Sequence, residues 1–152
     1  SSTRRMRSRD PPRHLIDAVG RIRDTQHVNP RLDNVTILVV DDDEDIRAGI
    51  SLALRAEGAD ILQAADGNDA VAMWRAHEPR VVVLDMMLPK RSGFLVLEEL
   101  SESSSPPIVV MVTANEGRRH EAYARSIGVH AYLTKPVPLE TLIRTIAGLM
   151  VG

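Results

Sequence analysis

Cysteine is absent from this sequence. Its absence removes disulfide scaffolds, thiol nucleophiles and thiolate metal sites together, so any chemistry has to come from carboxylates, hydroxyls, amines or imidazoles. No apolar run approaches the roughly 20 residues that a membrane-spanning helix needs, and the arginine-bearing N-terminus lacks the apolar stretch of a secretory signal. No internal repeat points to a solenoid. What is there is a chain of 152 residues, 43% hydrophobic and 26% charged, as expected of one soluble, cytoplasmic domain with a short appendage.

The net charge of −2 conceals an uneven distribution. Residues 1–33 carry eight Arg against four Asp, whereas residues 34–152 carry eleven Lys and Arg against seventeen Asp and Glu, giving +4 and −6. A basic arm of this kind is usually a solvated tail, and direct nucleic-acid binding is not expected. Within it, Leu15, Val19 and Ile22 fall at i, i+4 and i+7 after Pro12, which allows a short amphipathic helix over Pro12–Gln26. The expected division is a basic extension or linker over residues 1–34 and one folded domain over residues 35–152.

From Val35 onward, short β-branched runs alternate with segments of helical period, the pattern of βαβ units and a parallel sheet. The expected strands are Thr36–Val40, Ala59–Gln63, Val81–Leu84, Ile108–Val112 and His130–Leu133. Val81–Leu84 and Ile108–Val112 are apolar throughout, as strands covered on both faces are. The intervening helices carry Ile46, Ile50, Ala53 and Leu54 before Gly58, then Val71 and Trp74 within Asn68–His77, then Gly93–Leu100. Arg118–Ile127 has little apolar face, so it should lie on the surface, while Leu139, Leu142, Ile143, Ile146 and Leu149 define a firm last helix. Right-handed crossovers make this an open doubly wound α/β sheet, which binds ligands outside the carboxyl ends of its strands.

Those ends carry Asp41 and Asp42 after the first strand, Asp85 after the third, Thr113 closing the fourth and Lys135 past the fifth. Three converging carboxylates repel one another unless a cation joins them, and hard oxygen ligands suit Mg²⁺, or Mn²⁺. A carboxylate beside such an ion, with an ammonium and a hydroxyl close by, is equipped to take a phosphoryl group. Asp43 reads instead as the N-cap of the following helix. The five His have no ligand spacing among them, so no zinc site is expected.

Ile37-Leu-Val-Val-Asp-Asp42, Val83-Leu-Asp-Met-Met-Leu-Pro89, Val112-Thr-Ala114 and Tyr132-Leu-Thr-Lys-Pro136 together resemble the receiver domains of response regulators. The resemblance covers about residues 35–152 and implies five parallel strands in the order 2-1-3-4-5 with helices on both faces. It implies that Asp85 is the phosphoacceptor, and that Mg²⁺ is held by Asp42 and Asp85, by Asp41 through water, and by the Met87 carbonyl. It further implies that Thr113 bonds the phosphoryl group, Lys135 pairs with it, small Ala114 lies beside it, and Tyr132 is an aromatic switch. A cis Lys135–Pro136 bond is implied too. The partners implied are a histidine kinase or histidine phosphotransfer protein upstream and an output protein or domain downstream.

On this reading the chain is a signalling phosphoacceptor, not a turnover enzyme. Haloacid-dehalogenase-type hydrolases also phosphorylate an aspartate at a strand end, but they place a second Asp two residues later, where Met87 stands here. The winged-helix branch of the resembled family usually has an acidic pair just before the switch tyrosine. His130 and Ala131 occupy those positions, so that branch's ion-paired dimer is not expected. Met87 and Asn115 sit where side chains govern water access to the phosphoryl group in this family. An apolar Met87 offers no hydrogen bond to an attacking water, so slow self-dephosphorylation is expected.

Overall fold

Alternation of side chains along each apolar run decides the architecture, because a strand covered on both faces must feed two cores. In the computed structural model, which describes residues 30–114 and 117–151 together with strand backbone at 15–16 and 22–23, it does. The chain forms two compact units, residues 1–30 and 31–152. In the first unit, Leu15–Ile16 pairs antiparallel with Ile22–Arg23, Leu15 facing Arg23 and Ile16 facing Ile22. The helix expected over Pro12–Gln26 is therefore corrected at those four residues, and the rest of that segment lies outside the described residues. A helix this short is marginal by itself, and Gly20 between the paired stretches weakens it further.

In the second unit the strands are β1 (Thr36–Val40), β2 (Asp60–Ala64), β3 (Val81–Leu84), β4 (Ile108–Thr113) and β5 (Ala131–Thr134). They are all parallel and ordered β2-β1-β3-β4-β5, the order the resemblance implied. The helices are α1 (Glu44–Ala56), α2 (Gly67–His77), α3 (Gly93–Ser101), α4 (Arg118–Ile127) and α5 (Leu139–Met150). Expected and observed element ends agree within a residue or so. The second strand is one residue later than expected because Asp60 pairs with Thr36 across the ladder.

Ile37, Val39, Val81, Val83, Val110 and Val112 point to one face, where Ile50 and Leu54 of α1 and Leu142, Ile143 and Ile146 of α5 cover them. Leu32, fully buried, joins this cluster. Leu38, Val40, Val82, Leu84, Val109 and Met111 point to the other face, under Val71 of α2, Val96, Leu97 and Leu100 of α3, and Ala124 of α4. Trp74 packs at the margin of this second cluster, as its place on α2 suggested.

The ends of the elements are locally specified. The Asp43 carboxylate accepts from the N–H groups of Asp45 at 2.9 Å and Ile46 at 3.1 Å, so it caps α1 as expected. Arg31 joins the two helices of its face: its guanidinium bonds Glu57 at the C-cap of α1 and Glu140 in the first turn of α5. That pairing draws the Glu140 carboxyl below its usual range.

α4 is the least rooted of the helices. It buries Ala124, its N-cap Gly117 offers no side-chain hydrogen bond, and Arg118 and Arg119 offset the favourable charge of Glu121 in its first turn. What ties it to α3 is a surface cluster. Tyr123 meets Phe94 edge-on at 5.1 Å, His120 stacks on the same ring at 5.9 Å, and the Tyr123 hydroxyl donates to Glu98 at 2.8 Å.

Candidate functional site

Sheet register brings the acids together. Val40 of β1 pairs with Leu84 of β3, so the next residues, Asp41 and Asp85, leave the sheet side by side. The Asp85 N–H still donates to the Val40 carbonyl at 3.1 Å, and the Asp41 N–H to Ala64 of β2 at 3.2 Å. Both carboxylates are buried, at 2% and 5% exposure, while Asp42 faces solvent. One carboxylate oxygen from each of Asp41, Asp42 and Asp85 lies within 4.8 Å of the others.

Charge of one sign at that density needs a counter-charge. Lys135, immediately beyond β5, supplies it: Nζ donates to Asp41 Oδ2 at 2.7 Å and to Asp85 Oδ2 at 3.0 Å. Burial pulls the Lys135 ammonium down, but the hydrogen bonds and charges of the two aspartates outweigh it and hold its pKa above the ordinary value. The group is therefore cationic at neutral pH. The Lys135 N–H donates to the Thr113 carbonyl at 2.8 Å, which holds its backbone beside the end of β4. The Lys135–Pro136 bond is cis, as the resemblance implied.

Each remaining expected position has a definite place. Thr113 is fully buried as the last residue of β4, and Ala114, directly after it, is exposed. Met87 enters through its backbone, its N–H donating to Asp85 Oδ1 at 3.1 Å, while its side chain is 65% exposed. Tyr132 of β5 is buried in the α2–α4 core, where burial first, then the charges of Glu121 and Asp85, raise its phenol above the usual value. Asn115 lies outside the described residues. The register, the carboxylate cluster and the Lys135 bonds thus join Asp41, Asp42, Asp85, Lys135, the Thr113 backbone and the Met87 backbone, while Tyr132 belongs to the core under α2–α4.

The loop from Met86 to Ser92 is held close. The Gly93 N–H donates to the Met86 carbonyl at 2.8 Å, and a Cβ on Gly93 would come within 2.2 Å of the Asp85 carbonyl oxygen. Only glycine admits that approach. Sequence reasoning passed over Gly93, and also Arg47, whose side chain reaches from α1 to the Asp41 carbonyl at 2.8 Å. Arg47 sits six residues after Asp41 on the first turns of α1, but nothing in its sequence context separates it from the solvated Arg55.

The donor set suits a hard divalent cation. It comprises three carboxylates and no sulfur or imidazole ligand among the described residues, with Asp42 on the solvent side where water can complete a coordination shell. Among the described residues no helix is long and apolar enough to cross a membrane.

The profile of the family described as "Response regulator receiver domain" matches residues 37–147. The chain is 38% identical over 116 residues to the "Probable transcriptional regulatory protein TcrX" of Mycobacterium tuberculosis, covering 76% of this chain and 50% of that one. It is 34% identical over 119 residues to the protein PilH of Pseudomonas aeruginosa, covering 76% and 98%. It therefore spans about half the length of TcrX and nearly all of PilH. A solved CheY-like response regulator receiver domain protein from Methanospirillum hungatei superposes with a TM-score of 0.74 at 25% identity, over 78% of this chain and 94% of that one. Fold, family profile and acid cluster agree: this chain belongs to the response regulator receiver domain family of two-component signalling.

Proposed function

We propose that Asp85 accepts a phosphoryl group from a phosphohistidine, on a histidine kinase or a histidine phosphotransfer protein, and that the phosphorylated domain signals to an output protein or domain. The observation that carries this is the place of Asp85: a carboxylate only 5% exposed, at the end of an all-buried strand, held 3.0 Å from the Lys135 ammonium. A buried charge costs several kcal/mol unless paired, and Lys135 supplies the pairing while one face of the Asp85 carboxylate stays with the other two acids.

Asp42 and Asp85, with Asp41 through water and the Met87 carbonyl, would hold Mg²⁺, Mn²⁺ being a possible substitute. When bound, the ion supplies positive charge against the phosphoryl oxygens. The Asp85 carboxylate oxygen attacks phosphorus in line, the P–N bond breaks, and its electron pair leaves on the donor imidazole. Lys135 keeps its charge beside the acceptor and pairs with a phosphoryl oxygen, the Thr113 hydroxyl donates to another, and Ala114 leaves room for the group to enter. The test is intact mass after incubation with acetyl phosphate and Mg²⁺. One phosphoryl adduct, lost with a chelator, is the expected result. No adduct, with Mg²⁺ binding verified, would leave a phosphorylation-independent binding module as the better reading.

Because the exposed Met87 side chain cannot hydrogen-bond an attacking water, the adduct should hydrolyse slowly, with a lifetime well beyond seconds. A half-life of seconds in Mg²⁺ buffer would count against this role. Phosphorylation would draw in the Thr113 hydroxyl and stabilise an already accessible arrangement of the loop after Thr113, α4 and Tyr132. NMR spectra recorded with and without beryllofluoride should differ at Thr113, Arg118–Ile127 and Tyr132, and unchanged spectra would remove the switch.

A further inference from the structure

The segment Asp41–Asp43 lies between the end of β1 at Val40 and the start of α1 at Glu44, so no regular ladder aims its side chains. Asp41 is nonetheless fixed at each of its polar groups. Its N–H donates to Ala64, Oδ1 accepts from the Asp43 N–H at 2.9 Å, and Oδ2 accepts from Lys135. Its carbonyl accepts from Arg47 Nη1 at 2.8 Å, and the same guanidinium donates through Nε to Gln63 Oε1 at 3.1 Å. Gln63 belongs to β2 and stands opposite Val39, so it is a rigid anchor beside the strand that Asp41 has just left.

A peptide unit is planar, so holding the Asp41 carbonyl also orients the Asp42 N–H and the start of the Asp42 backbone. The next residue along, Asp43, is locked as the α1 cap. Asp42, exposed and without a ladder of its own, is then aimed by its two fixed neighbours. We infer that Arg47 is a positioning residue for the acidic pocket: its two-pronged bond to Gln63 and to the Asp41 carbonyl sets the direction of the Asp42 carboxylate. The inference rests on the metal-site reading above. Arginine suits this task because its planar fork reaches two separated acceptors from two nitrogens, whereas an ammonium donates from one.

The electrostatics of Arg47 oppose its geometry, and this makes the test sharp. A cation near three carboxylates repels a divalent ion, so if charge alone mattered, removing Arg47 would tighten Mg²⁺ binding. If positioning dominates, removal weakens it. Titration calorimetry with MgCl₂ on the full chain reads the sign directly, with no phosphorylation involved. Arg47→Ala should weaken Mg²⁺ binding about tenfold, the scale on which partners that orient metal ligands act. Arg47→Lys, which keeps the charge but donates from a single nitrogen, should fall between. Gln63→Leu should weaken binding less, and should add nothing on top of Arg47→Ala, because both remove one fork.

Unchanged or tighter binding by Arg47→Ala would overturn the inference, as would a lowered melting temperature with Mg²⁺ affinity intact. Should Arg47→Ala fail to fold, Arg47→Lys and Gln63→Leu decide, and wild-type affinity in both would overturn it. No Mg²⁺ binding by the wild type would instead sink the metal site, and this inference with it.

Discussion

Asp85→Asn is expected to abolish the phosphoryl adduct formed with acetyl phosphate and Mg²⁺, measured by intact mass. The change is nearly isosteric, but an amide is not the nucleophile that a carboxylate is, and it removes one negative charge from the ligand set. The variant should fold. Its side-chain oxygen still has the Met87 N–H or the Lys135 ammonium to accept from, and the substitution relieves repulsion between carboxylates within 4.8 Å of one another. Retention of the adduct on a folded Asp85→Asn protein would place the acceptor elsewhere, with Asp42, the exposed member of the trio, the first residue to test next.

Lys135→Met should cost about 3 kcal/mol of stability in Mg²⁺-free buffer, in the range seen when one partner of a buried ion pair is removed. Asp41 and Asp85 would then be two buried carboxylates without the ammonium that sits 2.7 and 3.0 Å from them. Methionine matches the length of the lysine stem, so the loss is one of charge more than of packing. Denaturant unfolding with a chelator should show the deficit, and millimolar Mg²⁺ should narrow it by giving the carboxylates a cation again. Equal stability of variant and wild type without Mg²⁺ would mean that the pair is held no better in the folded chain than in water. The same variant should also be slow to phosphorylate, since the ammonium that bonds Asp85 is lost.

The parts of this structure that could be read from the sequence are those set by local pattern. All-apolar runs at Val81–Leu84 and Ile108–Val112 announced inner strands, and Asp85 directly after the first pointed to the acid cluster. Asp43 could be assigned as a cap because capping is a bond to residues two and three ahead. What was not legible depends on contacts far apart in the chain. The Arg31 fork joins residues 26 and 109 positions away, and the Arg47 fork on α1 needs Gln63 on β2. Gly93 matters because of a carbonyl eight residues earlier whose position only the folded loop defines. Around Leu15 and Ile22, apolar spacing of helical period was also compatible with two short paired strands, and spacing alone does not choose between them.

The loose hold on α4 has an energetic meaning. Moving a two-state population from 1:99 to 99:1 takes about 5.5 kcal/mol of preference for one state. A phosphoryl group that gains one to three charge-assisted bonds can supply only part of that. An α4 nailed down by several leucines would ignore such an input, whereas one that buries Ala124, packs Ile127 at the core margin and adds a Tyr–Phe edge contact, a stacked His and one hydroxyl bond to Glu98 should be easier to move. On the proposed function, with Asp85 as acceptor and α4 as the responding element, sensitivity would be set at the surface: strengthening or weakening the Phe94–Tyr123 contact should change how much phosphorylation is needed for half-maximal output without touching the acceptor.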